Sequence, residues 1–361
     1  MCKHLSLRKP EGGYTEGEMD KANLLMKTHF PGSVTACTND TEDNIIRPKQ
    51  INWKTARMIC TEQEVRWAIM SFDRFKSPGV DGIIPAFLQE GIDILLPLIL
   101  KIFRASLALG YIPKNWRRAK VVFIPKPGKK DQIDPKAYRP ISLTSFLLKA
   151  IEKVVEKHLR EFILGNQPLH TTQHAYIVGK STETALYELV AKVKNSLDNK
   201  EIALCAFMDI AGAFDNTSHE AIQKALVNRG TGTTTINWIV AMLQTRKAET
   251  TIGNTTIEIQ TTKGCPQGGV LSPLLWNLVI DELLYNLSNH GITAQGYADD
   301  IVIIARGKFE ETVCDIVQNG LNITNMWCQS VGLSINPTKT VAVPFTKRRK
   351  LNLKELVLDG Q

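Results

Sequence analysis

Two adjacent aspartates, Asp299 and Asp300, sit inside the run Gly296-Tyr297-Ala298-Asp299-Asp300-Ile301-Val302-Ile303-Ile304. Residues 301–304 read as a buried strand, and Ile292 to Tyr297 as its hairpin partner. Neighbouring side chains on a strand point to opposite faces, so the two carboxylates can serve one site only at the turn. An unpartnered buried carboxylate is costly, which requires this pair to be exposed or metal-bound. Taken alone, the pair is equally well an acidic hairpin turn without chemistry. A third carboxylate shifts that balance. Ala206-Phe207-Met208-Asp209-Ile210 is another apolar strand ending in an acid, followed by Ala213-Phe214-Asp215. Two strands that each bring carboxylates to one end of a sheet make an oxygen site for hard divalent cations. A pair of such cations clamps the attacking and leaving oxygens of a phosphoryl transfer.

The elements that must position these acids belong to a chain of 361 residues, enough for one large lobed domain or two smaller ones. A formal net charge of +8 and a pI near 9.0 favour a polyanionic partner. Seven scattered cysteines without a Cys-x-x-Cys point to reduced thiols inside a cell, and against a disulfide framework or zinc module. His170 and His174 have ligand-like spacing but no cysteine pair nearby, and read as ordinary loop histidines. The N-terminus lacks the apolar core of a signal peptide. The apolar stretch 92–109 is interrupted by Asp93, Pro97, Lys101 and Arg104, so no membrane partner is expected.

Along the chain, residues 1–50 are aperiodic and read as a linker or an extension that packs elsewhere. Thr61-Glu62-Gln63-Glu64 is a capping box opening a helix over about 62–73. A second apolar helix spans about 92–109 and ends at Gly110. The segment 113–139 is the most basic, with Lys114, Arg117, Arg118, Lys120, Lys126, Lys129, Lys130, Lys136 and Arg139. Its charges flank a strand at 121–124 and a hairpin loop from Pro125 to Pro135, as a solvated face or a glove for phosphates. An amphipathic helix over about 142–163 follows, ended by Gly165. Gly179-Lys180-Ser181 suggests a phosphate loop, but that motif needs glycine where His174 stands, so Thr182 to Leu197 reads as an ordinary helix. Ser218 to Asn228 is a further helix, closed by Gly230. A glycine-rich turn, Gly264-Cys265-Pro266-Gln267-Gly268-Gly269, then runs into a helix at Ser272-Pro273. Its glycines let backbone approach a ligand closely, and Gln267 can donate to that ligand. A helix around 310–330 leads to Gly332-Leu333-Ser334-Ile335-Asn336-Pro337-Thr338-Lys339.

In this order the segments resemble the reverse transcriptases of non-LTR (LINE-type) retrotransposons, most like insect-type elements. The resemblance covers about residues 75–345 and rests on Ser77 to Gly82, Phe123 to Gly128, Tyr138 to Leu143, Gln173 to Thr182, Phe207 to Asp215, Gly264 to Pro273, Tyr297 to Asp300 and Gly332 to Lys339. One departure is Ala175-Tyr176, where the family usually has Gly-Phe, and little effect is expected from it.

The resemblance implies an α+β right-hand polymerase fold with fingers and an antiparallel palm sheet backed by helices. It implies an extension or linker over 1–55, fingers and the start of the palm over 56–204, the catalytic palm over 205–346, and a basic, Leu-rich tail over 347–361. The thumb is expected to be missing after that tail. It further implies addition of deoxynucleotides to a primer 3′-hydroxyl on an RNA template, with two Mg²⁺ ions or Mn²⁺ in their place. By motif, Asp209 and Asp299 are implied as the main metal ligands and Asp300 as a lesser one. Lys126 and Arg139 match contacts to the incoming triphosphate, and Phe214 matches the ring beneath the sugar. Gln267 matches a residue near nucleotide and template, and Lys339 a partner of the leaving pyrophosphate. The partners implied are an RNA template, a DNA primer, dNTPs, and the thumb and endonuclease segments of a larger polyprotein. Action in the nucleus is implied by the family; the sequence itself allows nucleus or cytoplasm. A group II intron-type maturase reverse transcriptase shares several blocks. Ala211 and Ala213, where maturases often carry lysine and an aromatic, favour the retrotransposon. An inert nucleic-acid-binding remnant is the other alternative, and the intact carboxylates weigh against it.

Overall fold

A computed structural model describes residues 6–35, 51–128 and 131–358. Lys129 and Lys130 of the basic segment, and residues 36–50, lie outside the described residues. The described strands are β1 (Val34–Thr35), β2 (Arg118–Pro125), β3 (Tyr138–Leu143), β4 (Ile202–Asp209), β5 (Lys247–Ile252), β6 (Thr255–Gln260), β7 (Thr293–Tyr297), β8 (Asp300–Gly307) and β9 (Val341–Phe345). The chain divides into two compact units, Met1–Asn166 with Leu226–Ser272, and Gln167–Ala225 with Pro273–Gln361.

The first unit carries a five-stranded sheet in the order β1-β6-β5-β2-β3. In β2 the side chains alternate, with Ala119, Val121 and Phe123 buried and Arg118, Lys120, Val122 and Ile124 exposed. That period of two gives the sheet one apolar face. The helix Glu18–His29 covers this face, packing Ala22, Leu25 and Met26 against Val121, Phe123, Ala248 and Ile259. The described part of the segment 1–50, which the sequence presents as an aperiodic linker or extension, therefore supplies Leu7, Ala22, Leu25, Met26 and Phe30 to this unit's own core. Its buried Lys21 and His29 blur the apolar periodicity of the helix, which is why the pattern was not visible. Glu18 also ties down the β5–β6 hairpin, its Oε2 accepting from Asn254 N at 2.9 Å.

The expected helix over 142–163 begins later. Residues 138–143 are strand β3, Ser145 caps the helix Phe146–His158, and a π-helical turn, Leu159–Ile163, continues it. Pro140 sits in β3 at the edge of the sheet, where a missing N–H is tolerated. The helix Ile92–Leu109 ends at Gly110, whose φ of +56 is the left-handed stop anticipated from sequence. The helices Trp53–Ile59, Glu62–Met70, Ile92–Leu109 and Phe146–His158 pack on one another in the same unit.

The second unit is built on an antiparallel four-stranded sheet, β7-β8-β4-β9. The inner strand β4 is buried along most of its length without alternation, because helices cover both faces. Val302 and Ile304 of β8 share a cluster with Leu189 and Val193 of the helix Thr182–Asp198. Ile303 points to the other face and meets Gly320 of the helix Glu310–Ser330, where a Cβ would stand 2.8 Å from its Cδ1. The glycine lets that helix approach the strand closely. Residues 352–357 run along the same helix, with Lys354 paired to Glu311 and Asp315, and Val357 N donating to Gln318 Oε1 at 2.8 Å.

Candidate active site

Strands β4 and β8 are antiparallel neighbours, and their register sets Asp209 directly opposite Asp300. Tyr297 pairs with Asp300 across the β7–β8 hairpin, so Ala298 and Asp299 form its two-residue turn. The expected hairpin is thus present, with Asp299 in the turn and Asp300 opening β8. Ala298 holds a φ of +55, a region that usually falls to glycine or asparagine. The peptide N–H of Ile210 donates to the Asp299 carbonyl at 3.3 Å, which ties the turn to the end of β4.

The segment 332–339 is fastened to the same strand end. Asn336 N donates to the Asp209 carbonyl at 2.9 Å, and Ala211 N donates to the Ser334 carbonyl at 2.9 Å. The 3-10 turn Pro337–Lys339 then delivers Lys339 Nζ to 2.8 Å from Asp209 Oδ2. Partial burial holds the Asp300 carboxyl above the ordinary carboxylate range. The charges of Asp299 and Asp209 push it further up, and Lys339 draws it back. A groove of about 370 Å³ opens beside these groups, lined by Phe207, Gly296 and Tyr297 of the sheet and by Ala185 and Leu189 of the helix Thr182–Asp198.

Phe214 lies on the short helix Ala213–Asn216, introduced by Gly212 at φ +58. Its ring centroid is 6.0 Å from Trp276 and 6.4 Å from Tyr176, the latter edge-on at 89°. The Tyr176 hydroxyl is held above its ordinary pKa by burial first and then by the Asp299 charge, so it lies in the field of the carboxylates.

Lys126, Arg139 and Gln267 belong to the first unit. Lys126 follows β2, its N–H donating to the Ala137 carbonyl at 2.8 Å, and Arg139 is the cross-strand partner of Ile124 on the exposed side of β3. The Gln267 carbonyl accepts from Ser142 N at 2.8 Å, which lays the glycine-rich turn along β3. The structure thus gathers Asp209, Asp299, Asp300, Phe214 and Lys339 in one unit, and Lys126, Arg139 and Gln267 on one hairpin edge of the other. Two cations of the basic segment have structural partners instead. Arg117 is buried with Nε donating to the Ile112 carbonyl at 2.6 Å, and Arg118 bonds Glu249 and Glu258 at 2.8 Å.

Two polar groups outside the site residues expected from the sequence hold these parts. Glu152, fully buried, accepts from Val270 N at 2.7 Å and Leu271 N at 3.0 Å, and so ties down the end of the glycine-rich turn. The available signal was an acid on the apolar face beside Leu148, Ile151 and Val155. Trp276 Nε1 donates to the Ala298 carbonyl at 2.8 Å; in sequence it is simply another apolar residue of its helix. The ordinary helix expected over Thr182 to Leu197 is present as Thr182–Asp198, and Ser181 caps it by accepting from Thr184 N, while Lys180 Nζ donates to the Gln173 carbonyl at 2.8 Å. His170 has a hydroxyl partner, Thr172 Oγ1, at 2.8 Å.

Residues 124–351 match the reverse transcriptase (RNA-dependent DNA polymerase) family. The chain belongs to that family. This reverse transcriptase is 28% identical over 359 residues to a probable RNA-directed DNA polymerase from transposon BS of Drosophila melanogaster, covering 95% of this chain and 39% of that protein. It is 25% identical over 365 residues to the RNA-directed DNA polymerase from the mobile element jockey of the same fly, covering 95% and 38%. The chain therefore spans well under half the length of these relatives. Among solved structures, apo telomerase from Candida tropicalis, truncated from its C-terminal domain, is similar with a TM-score of 0.50 at 12% identity, over 66% of this chain and 52% of that one. That likeness speaks for the fold, a polymerase fold of mixed helices and sheets.

Reverse transcriptases as a family use divalent metal ions. Among the described residues no three carboxylate, imidazole or thiol groups form a closed metal cage. The donors fit an open site instead. Asp209 and Asp300 are register partners, Asp299 adjoins them, and the Lys339 ammonium already answers their charge. Mg²⁺ retains waters and takes one or two carboxylates plus substrate phosphates, so it suits such a site. No helix among the described residues is long and apolar enough to cross a membrane.

Proposed function

We propose that this chain is the polymerase part of an insect-type non-LTR retrotransposon protein and extends a DNA primer on an RNA template with dNTPs. The observation that carries the reading is the register of Asp209 against Asp300, with Asp299 in the adjoining turn and Lys339 on Asp209. In a right-hand polymerase the second unit's sheet corresponds to the palm, and the β2–β3 hairpin to the fingers. Asp209 and Asp299, with Asp300 in a lesser role, would hold two Mg²⁺ ions. Bound there, the ions neutralise the charge that develops on the attacking and leaving oxygens.

The chain's own residues do the rest, since phosphoryl transfer needs positioning and charge more than covalent help. Lys126 and Arg139 grip the triphosphate. Phe214 lies under the sugar, and Gln267 orders nucleotide and template. Lys339, which pairs with Asp209 in this structure, would meet the departing pyrophosphate. The test is extension of an oligo(dT) primer on poly(rA) by the purified chain. Mg²⁺-dependent synthesis of poly(dT), lost in Asp209→Asn, is the expected result; a wild-type chain that binds template–primer without extending it would leave only a binding protein.

A further inference from the structure

Trp276 is 1% exposed and stands on the helix Ser272–Asn289. Indole has a single donor and no acceptor, and a buried donor needs a partner. Here the partner is the carbonyl of Ala298, at 2.8 Å. That carbonyl belongs to the peptide unit that leads into Asp299, so its direction sets the direction in which the Asp299 side chain leaves the turn. The turn itself is strained. Of the non-glycine residues with positive φ among the described residues, Tyr176, Lys200 and Ala298, one accepts this bond and another packs on the next ring of the same chain of contacts. An alanine at φ +55 has no intrinsic reason to stay there, so a tertiary contact must hold it.

The other side of the indole meets Phe214, with centroids 6.0 Å apart and planes at 38°. Tyr176 closes the row edge-on against Phe214 and is itself at φ +58. Phe214 is only half-buried and lies on a four-residue helix, so these two rings are what fix its position.

We propose that Trp276 is a positioning residue that couples the metal-holding turn to the sugar-facing ring: its N–H aims Asp299 through the Ala298 carbonyl, and its ring face sets Phe214. The proposal rests on the polymerase reading above, in which Asp299 holds metal and Phe214 contacts the sugar. A core tryptophan with no such role would serve packing alone.

The two accounts order the variants Trp276→Phe and Trp276→His oppositely. Phenylalanine keeps a large apolar ring but has no donor; histidine is smaller and polar but can still donate. The measurement is steady-state extension on poly(rA)/oligo(dT) with dTTP and with UTP, on protein whose fold is checked by circular dichroism. Coupling through Trp276 predicts that W276F stays folded and loses kcat by about ten-fold with KM for dTTP little changed, the scale of one lost hydrogen bond. It also predicts that dTTP-over-UTP discrimination falls several-fold, and that W276H keeps more kcat than W276F. A folded W276F with wild-type kcat and wild-type discrimination overturns the proposal. So does failure of both variants to fold, which would assign the residue to packing. A wild-type chain that does not extend at all instead removes the polymerase reading, so the two failures are told apart.

Discussion

Lys339 Nζ lies 2.8 Å from Asp209 Oδ2, so the acid at the end of β4 is answered by the chain's own cation. The lysine is 60% exposed and the aspartate 20%, so the pair contributes little to stability. An exposed ion pair is worth about 0–1 kcal/mol. On the proposed reading its consequence is competition: a divalent ion on Asp209 would contend with this ammonium. In Lys339→Met the half-saturating Mg²⁺ concentration for extension should fall, while kcat falls because the pyrophosphate loses a cation. The melting temperature should hardly change. An Mg²⁺ titration of extension with both proteins checks this, and a higher Mg²⁺ requirement in the variant would contradict it.

Phe214 is expected to collide with a 2′-hydroxyl, a built-in clash that discriminates against ribonucleotides. Phe214→Val should raise the ratio of ribonucleotide to deoxynucleotide incorporation. The ring also packs against Trp276 and Tyr176, and truncating a fully buried phenylalanine to alanine costs about 3–5 kcal/mol. The variant must therefore be shown to fold first. An unchanged ratio in folded protein would leave Phe214 with packing alone.

The carboxylates were legible because apolar strands that end in acids are a local pattern. The hairpin over 293–307 and the helices Glu62–Met70, Ile92–Leu109, Thr182–Asp198 and Glu310–Ser330 were legible through caps and apolar periodicity. The helix Thr233–Gln244 and the hairpin of β5 and β6 carried no such sign. Threonines at 250, 251, 255 and 256 soften the apolar–polar alternation on which a strand is recognised. The groups that hold the site depend on partners far away in sequence. Trp276 reaches 22 residues to Ala298, and Glu152 reaches 118 to Val270. No local pattern can announce such bonds. The alanine-tyrosine departure at Ala175-Tyr176 looked neutral in sequence, yet Tyr176 packs on Phe214.

Glu152 gives a pH prediction. Burial raises its carboxyl pKa above the usual value, against the opposing pull of the Leu271 and Val270 N–H groups and Lys149. A raised folded-state pKa favours the protonated form. The stability it contributes is full below the unfolded carboxyl's pKa of about 4.3, and is lost as pH rises through the folded value. Glutamine has no proton to lose at this site. The stability of Glu152→Gln relative to wild type should therefore rise from acid to neutral pH. Denaturant melts at both ends of that range test the sign, and a relative stability that falls with pH would reverse it. Glu152→Ala should be the harsher change, because a buried N–H left without its acceptor costs about 1–3 kcal/mol.

The N-terminal helix gives a test of the first unit's core. Leu25 is buried among Phe123, Ala248 and Ile259. Leu25→Ala should destabilise the protein by about 2–5 kcal/mol, seen as a lower denaturation midpoint. A loss within error would return residues 18–29 to the role of a detachable extension.

The most direct measurement of the central claim is primer extension by Asp299→Asn beside wild type, with template–primer affinity measured on the same preparations. An amide has the shape of the carboxylate but lacks the charge that divalent ions require. The account predicts that extension is abolished while affinity is nearly unchanged, because the grip on nucleic acid comes from cations elsewhere in the chain. Extension by Asp299→Asn near the wild-type rate would contradict the placement of the metal-dependent chemistry at the β7–β8 turn.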